Sequence, residues 1–148
     1  MKLIASIFGI GYIRKGGGTV AAAFAVLIWW WWFSNIAPRY EYQIGITLLI
    51  TALGIWTGNK VEPQWGKDSY RVVIDEVAGM FISILFVPIE WKWLLIGFIL
   101  FRFFDIAKPL YIRRMEAFKG GWGVMLDDVL AGIYANVVLQ IVMLIVKK

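Results

Sequence analysis

Two acidic pairs, Asp75-Glu76 in V-V-I-D-E-V-A-G-M and Asp127-Asp128 in G-V-M-L-D-D-V-L-A-G, each lead straight into an apolar stretch. An Asp at the centre of a membrane helix costs roughly 2.5–3.5 kcal/mol on insertion scales, so acids so placed point to a function or a partner. Helical neighbours point about 100° apart, so one pair cannot turn all its oxygens onto one ion, whereas two pairs on facing helices can. Oxygen-only ligands select a hard cation, Mg²⁺ first, with Mn²⁺ or Ca²⁺ as alternatives. Gly79 lies four residues after Asp75 and Gly132 four after Asp128. Small residues so placed let two membrane helices approach closely. The plainer alternative is that the acids cap helices or pair with Lys and Arg.

A second set supplies positive charge. Arg102, Asp105 and Lys108 recur every three residues in F-R-F-F-D-I-A-K-P and share a helix face. A structural salt bridge or snorkelling of the long side chains would also account for them. Arg113 could grip a phosphate in forked geometry. Gly16-Gly17-Gly18-Thr19 opens an apolar stretch beside Arg14 and Lys15. Free backbone amides there could hold an anion, although a hinge explains the glycines equally well. It is not a P-loop, since no Gly-Lys-Ser/Thr follows.

The elements that must position these groups are apolar. The chain has 148 residues and is 61% hydrophobic and 17% aromatic, more apolar surface than a soluble domain of this size can hide. Nine Trp fit an interfacial belt, and Trp29 to Trp32 are consecutive, so their rings point all round a helix. There is no Cys and no His, which excludes disulfides, thiolates and imidazole bases. The net charge of +5 suits an anionic substrate or a membrane surface. The basic residues are dispersed among apolar spans, which argues against nucleic acid as a partner. Oligomeric state is not readable.

The expected architecture is all-α: a single domain over residues 1–148, a polytopic integral membrane bundle of about five membrane helices plus an N-terminal interfacial or re-entrant helix. Residues 1–13 lack a convincing cleavage site and read as that N-terminal helix in the mature chain. The spans run 20–37, ended by Pro38, then 42–56, 72–87, 91–104 and 128–146, with Lys147-Lys148 at an interface. The 72–87 span is short for a crossing. Residues 57–71 read as a polar connection and 119–123 as a Gly-rich loop. Lys108-Pro109 should end the fourth helix. With five crossings, eleven of the 15 Lys and Arg fall on one side, which the positive-inside rule makes cytoplasmic. Eight of the ten acids fall on the same side, although they played no part in that assignment.

Three stretches together carry a family resemblance. They are D-x-x-x-x-V-x-D-E-x-x-G-M from Asp68 to Met80, F-R-x-x-D-x-x-K-P-x-x-I-R from Phe101 to Arg113, and G-G-x-G-x-M-x-D-D-x-x-A-G from Gly120 to Gly132. In order and spacing the sequence resembles the phosphatidylglycerophosphatase A family of bacterial lipid phosphatases. The resemblance implies a helical fold in the bacterial inner membrane and a Mg²⁺ requirement. It also implies removal of the terminal phosphate of phosphatidylglycerophosphate, which remains in the bilayer among membrane lipids. Carried over by position, Asp75, Glu76, Asp127 and Asp128 become metal ligands, with Asp75, Asp105 and Asp128 catalytic. Arg102, Lys108 and Arg113 become substrate contacts, to which the glycine run adds Thr19 and its neighbour Arg14 as further candidates. Asp68 also falls on a family position, and Glu116 stands where Asp is common. The family tends to show Pro-Gly-Thr-x-Gly-Ser near its start, where this chain has Gly17-Gly18-Thr19-Val20-Ala21-Ala22.

The rival readings are distinct. A CDP-alcohol phosphotransferase also uses membrane acids and a divalent ion, but its D-G-x-x-A-R string is absent. A histidine-dependent lipid phosphatase is excluded by the missing His. A small cation transporter or channel would spread acids through the membrane depth rather than gather them on one side.

Overall fold

Long apolar runs without internal breakers satisfy their backbone groups only as helices when lipid surrounds them. A computed structural model describes residues 1–36 and 39–146, and within them the chain is helical. The elements are α1 (Lys2–Ala5), a 3₁₀ turn (Ile10–Tyr12), α2 (Gly17–Asn35), α3 (Tyr40–Trp65), α4 (Ile74–Ser83), α5 (Trp91–Ala107), α6 (Ile112–Met115) and α7 (Gly121–Val146). Ala37, Pro38, Lys147 and Lys148 lie outside the described residues, and with them the expected stop at Pro38 and the interfacial lysine pair.

Among the described residues, α2, α3 and α7 are long and apolar enough to cross a membrane. The expectation of about five crossings is met by these three only. α5 has 17 residues, the lower end of the roughly 17–25 that a crossing needs. α4 has 10 residues and spans only about 15 Å. The single N-terminal helix expected over residues 1–13 is instead a four-residue helix and a 3₁₀ turn. Ala5 is fully buried there, and its carbonyl accepts the Val73 amide at 2.9 Å, which ties this segment to the start of α4.

Two stretches expected as loops, 57–71 and 119–123, are helical in part, over 57–65 and 121–123. α3 continues through the polar residues to Trp65, with Pro63 tolerated in its last turn. α7 begins at Gly121, so Asp127 and Asp128 sit inside a helix rather than at its start. The glycines there permit contact rather than flexibility. A Cβ at Gly121 would collide with the Ile55 carbonyl, and one at Gly58 would lie 2.8 Å from Gly121 Cα. The same holds between α4 and α7, as the Gly79 and Gly132 spacing implied. A Cβ at Gly132 would strike the Gly79 carbonyl, and one at Gly79 would lie 2.6 Å from the Asp128 carbonyl.

α2, α3, α4, α5 and α7 alternate in direction. Gly18 near the start of α2, the end of α3, the start of α4, the end of α5 and the start of α7 all meet at one end. At the other end, Trp30 of α2 stacks on Trp91 of α5 with ring centroids 5.0 Å apart, and Tyr40 meets Phe86 at 5.3 Å. α4 stops short of its neighbours' length and leaves backbone groups with no intrahelical partner. Side-chain amides supply those partners. Asn136 Nδ2 donates to the Ser83 carbonyl at 3.1 Å and to that of Leu85 at 2.8 Å, and Gln43 Oε1 accepts the Phe86 amide at 3.2 Å.

Asn136→Leu strips the Ser83 carbonyl of its side-chain donor and leaves that of Leu85 only the long Gln140 Nε2 contact at 3.5 Å, and an unsatisfied buried group costs about 1–3 kcal/mol. The variant should lower the thermal unfolding midpoint in detergent while leaving secondary structure at 20 °C unchanged by circular dichroism. An unchanged midpoint would show that the α4 terminus does not depend on this cap.

Candidate functional site

The end where the helices converge holds a cavity of about 270 Å³. It is lined by Asp75 and Glu76 from α4, Arg102 and Asp105 from α5, Lys108, and Asp127 and Asp128 from α7. Gly16, Gly17 and Gly18 close one wall, and Arg14 and residues 68–70 form the rim. Each helix delivers its group for a local reason. α5 ends at Ala107 because Pro109 follows, and Lys108 takes the left-handed conformation at φ 46°, which turns the chain. On α7, Asp127 and Asp128 are held within the bundle by the glycine contacts with α3 and α4.

Glu76, Asp105 and Asp128 each offer a carboxylate oxygen within 4.8 Å of the others, a spacing that one oxygen-liganded cation fits. Arg102 Nη1 bridges two of them, donating to Glu76 Oε2 and, at 2.5 Å, to Asp105 Oδ2. Lys108 Nζ lies 2.6 Å from Asp127 Oδ2 and 2.5 Å from Glu116 Oε1. Burial alone would lower the Lys108 pKa, but the hydrogen bonds it donates to Asp127 and Glu116 outweigh it, so the pKa is raised and the ammonium stays charged. Five carboxylates thus face Arg102 and Lys108 inside the cavity, with Arg14 at its rim. With all five ionised the surplus is negative, and like charges so close are costly unless a cation joins them. Asp127 Oδ1 is buried with no hydrogen-bond partner among the described residues, a further acceptor for a bound cation or its water.

The residues singled out from sequence fall into three groups. Glu76 and Asp128 lie in the close carboxylate set, and Asp105 joins them. Asp75 and Asp127 line the same cavity in other roles: Asp75 Oδ1 accepts the Glu76 amide at 2.9 Å, and Asp127 is held by Lys108. Thr19 and Arg113 do not line it. Thr19 is exposed one residue past the glycine wall, because its side chain leaves α2 on the other face. Arg113 follows the Lys108 turn onto α6 and lines a neighbouring hollow of about 410 Å³ with Lys67, Asp68 and Glu116. Tyr70, on the rim, falls between the acids of the motif, at a place the motif from Asp68 to Asp75 does not specify. Hydrogen bonds from Arg71 and Arg14 lower its pKa.

Gly18 gives the wall its shape. A Cβ there would collide with Glu76 Oε1 and lie 3.4 Å from Arg102 Nη1. The glycine is needed for clearance over the carboxylate rather than for a special backbone angle.

Residues 3–143 match the family model described as Phosphatidylglycerophosphatase A. A Bacteroides thetaiotaomicron protein named "Putative phosphatidylinositol-3-phosphatase" is 52% identical over 99 residues, covering 65% of this chain and 62% of its own. Proteins named phosphatidylglycerophosphatase A from Haemophilus influenzae and Escherichia coli are 44% and 35% identical. Those matches cover 62% and 64% of this chain and 58% and 59% of the relatives. The chain therefore spans under two thirds of the length of the curated relatives it matches. No solved structure matches it.

Gly18→Ala should leave the fold intact, because the colliding atom ends a flexible side chain. It should displace the Glu76 carboxylate and depress turnover by about 100-fold, the scale of loss for misplacing a reacting group by about 1 Å. Thermal unfolding alongside phosphate release checks this. Turnover within twofold of wild type would show that the wall does not set the Glu76 position.

Proposed function

The chain belongs to the phosphatidylglycerophosphatase A family, and from that premise we propose that it hydrolyses the terminal phosphate monoester of phosphatidylglycerophosphate. The products are phosphatidylglycerol and inorganic phosphate, a step of bacterial phospholipid synthesis. The observation that carries this reading is the meeting of Glu76, Asp105 and Asp128 from separate helices beside Arg102 and Lys108. The family names of the Haemophilus influenzae and Escherichia coli relatives point to the same substrate. We place the site at the cytoplasmic face of the inner membrane, supported by the excess of Lys and Arg at that end.

Mg²⁺ is the proposed cofactor, with Glu76, Asp105 and Asp128 as its protein ligands. When bound, it would neutralise phosphate charge and make water a nucleophile near neutral pH. Arg102 and Lys108 bind the non-bridging phosphate oxygens and offset charge that develops as the P–O bond breaks. Asp75 has its Oδ1 held by the Glu76 amide, which leaves Oδ2 to accept the proton of the attacking water. The departing alkoxide of the glycerol headgroup takes a proton from solvent at the cavity mouth. Arg14, on the rim, draws the anionic headgroup in.

A second substrate reading has its own support. The Bacteroides thetaiotaomicron relative is named for the 3-phosphate of an inositol lipid. Both lipids present a phosphomonoester on a polyol headgroup, which this cavity would treat alike. An ion path is disfavoured, because Gln43 and Asn136 at the far end already hydrogen-bond backbone groups and the carboxylates gather at the other end.

Purified protein should release phosphate from phosphatidylglycerophosphate with Mg²⁺ and stop when EDTA is added. Phosphatidylinositol 3-phosphate and phosphatidic acid serve as the comparison. Faster release from the inositol lipid would favour the second reading, and cation flux without any phosphate release would overturn both. Asp105→Asn and Asp128→Asn should each cost more than the roughly 10–100-fold typical of residues that only support a ligand. Arg113→Ala should leave turnover close to wild type, since the side chain is outside the cavity. A loss with Arg113→Ala as deep as with Asp128→Asn would contradict this placement.

A further inference from the structure

α2 and α5 touch at both ends and part between them. At the head end, Gly18 packs under Glu76 and Arg102. At the far end, Trp30 and Trp91 stack at 5.0 Å and 32°. Between these pins lies a groove of about 200 Å³ lined by Ala23, Val26 and Leu27 from α2 and by Trp91, Leu95 and Phe98 from α5. The lining is wholly apolar. Residues 23, 26 and 27 share one helix face, as do 91, 95 and 98. Leu27 and Leu95 are about half exposed, so the groove opens sideways toward lipid.

The groove lies about one helical turn from the carboxylate cavity along α5 and shares no lining residue with it. Phe98 is four residues before Arg102, about one helical turn or ~6 Å below it. Ala23 is five residues past Gly18, roughly 7.5 Å. From Arg102 to the Trp30–Trp91 pair is eleven residues along α5, roughly 16 Å, about the depth of one leaflet of a ~30 Å hydrocarbon core. A helix from a second copy would need a groove running past the stacked indoles, and they close it.

We propose that this groove seats one acyl chain of the lipid whose headgroup lies in the cavity, and so acts as a binding subsite for substrate chain length. The inference rests on the lipid phosphatase reading above. Ala23 keeps the groove open, and a larger side chain there fills it without touching the carboxylates. Held in the groove, the chain fixes the distance from the bilayer to the scissile phosphate. Free headgroup chemistry then becomes chemistry on an oriented lipid.

The test compares dipalmitoyl and dihexanoyl phosphatidylglycerophosphate in mixed micelles, with wild type and Ala23→Phe. The variant should lose about tenfold in kcat/KM on the dipalmitoyl lipid, the scale of displacing a few buried methylenes. On the dihexanoyl lipid it should stay within twofold of wild type. Equal losses on both lipids, or no loss on either, would overturn the subsite. If wild type releases phosphate from neither lipid, nor from dipalmitoyl phosphatidylinositol 3-phosphate, the phosphatase reading itself fails and the subsite falls with it. Should Ala23→Phe fold poorly, wild-type protein irradiated with a dipalmitoyl lipid carrying a diazirine on its acyl chain decides the matter. Labelling concentrated at residues 23–27 and 91–98 supports the groove, and labelling spread evenly over the lipid-facing surface refutes it.

Discussion

Mutual repulsion among buried carboxylates is the constraint on which the rest of the structure depends. Glu76, Asp105 and Asp128 bring oxygens within 4.8 Å of one another at the end of an apolar bundle. Arg102 offsets part of that charge by bridging Glu76 and Asp105, and Lys108 offsets more through Asp127. What remains is a negative site matched to a divalent cation and, through it, to a phosphate. The arrangement would be unfavourable in an unassisted fold, so the scaffold must hold the helices in place against it.

Glycine packing is how the scaffold does this. Gly79 against Gly132 brings α4 to α7, Gly58 against Gly121 brings α3 to α7, and Gly18 lets α2 pass over Glu76. In lipid no hydrophobic force pulls helices together, so close approach and hydrogen bonds must serve instead. The short α4 is the element this most affects. It delivers Asp75 and Glu76 at one end and stops early at the other, where Asn136 caps its Ser83 carbonyl and Gln43 takes the Phe86 amide of the turn that follows. Site and cap are thus the two ends of one 10-residue helix.

Much of this was legible in the sequence because charge within apolar runs is rare and spacing survives folding. The helical class, the turn at Lys108-Pro109, the α4–α7 contact through Gly79 and Gly132 and the family motifs all follow from residue order. Four features did not. Glycines at 120–123 carry the same signal whether they loosen a loop or allow two helices to touch, and Gly121 does the latter. The polar residues 59–65 could equally be loop or the exposed end of a long helix, and α3 makes them helix. Arg113 shares a motif with Arg102, yet the turn after Lys108 carries it to a separate hollow, which linear spacing cannot reveal. Partition of the carboxylates between the close set and the Lys108 pair likewise depends on side-chain direction, which sequence does not carry.

Anomalous diffraction from crystals of this protein grown with Mn²⁺ in place of Mg²⁺ tests the central claim most directly. The account predicts a peak between α4, α5 and α7, in direct contact with carboxylate oxygens of Glu76, Asp105 and Asp128. A well-occupied peak elsewhere, or no peak at the three carboxylates in protein active with Mn²⁺, would contradict it.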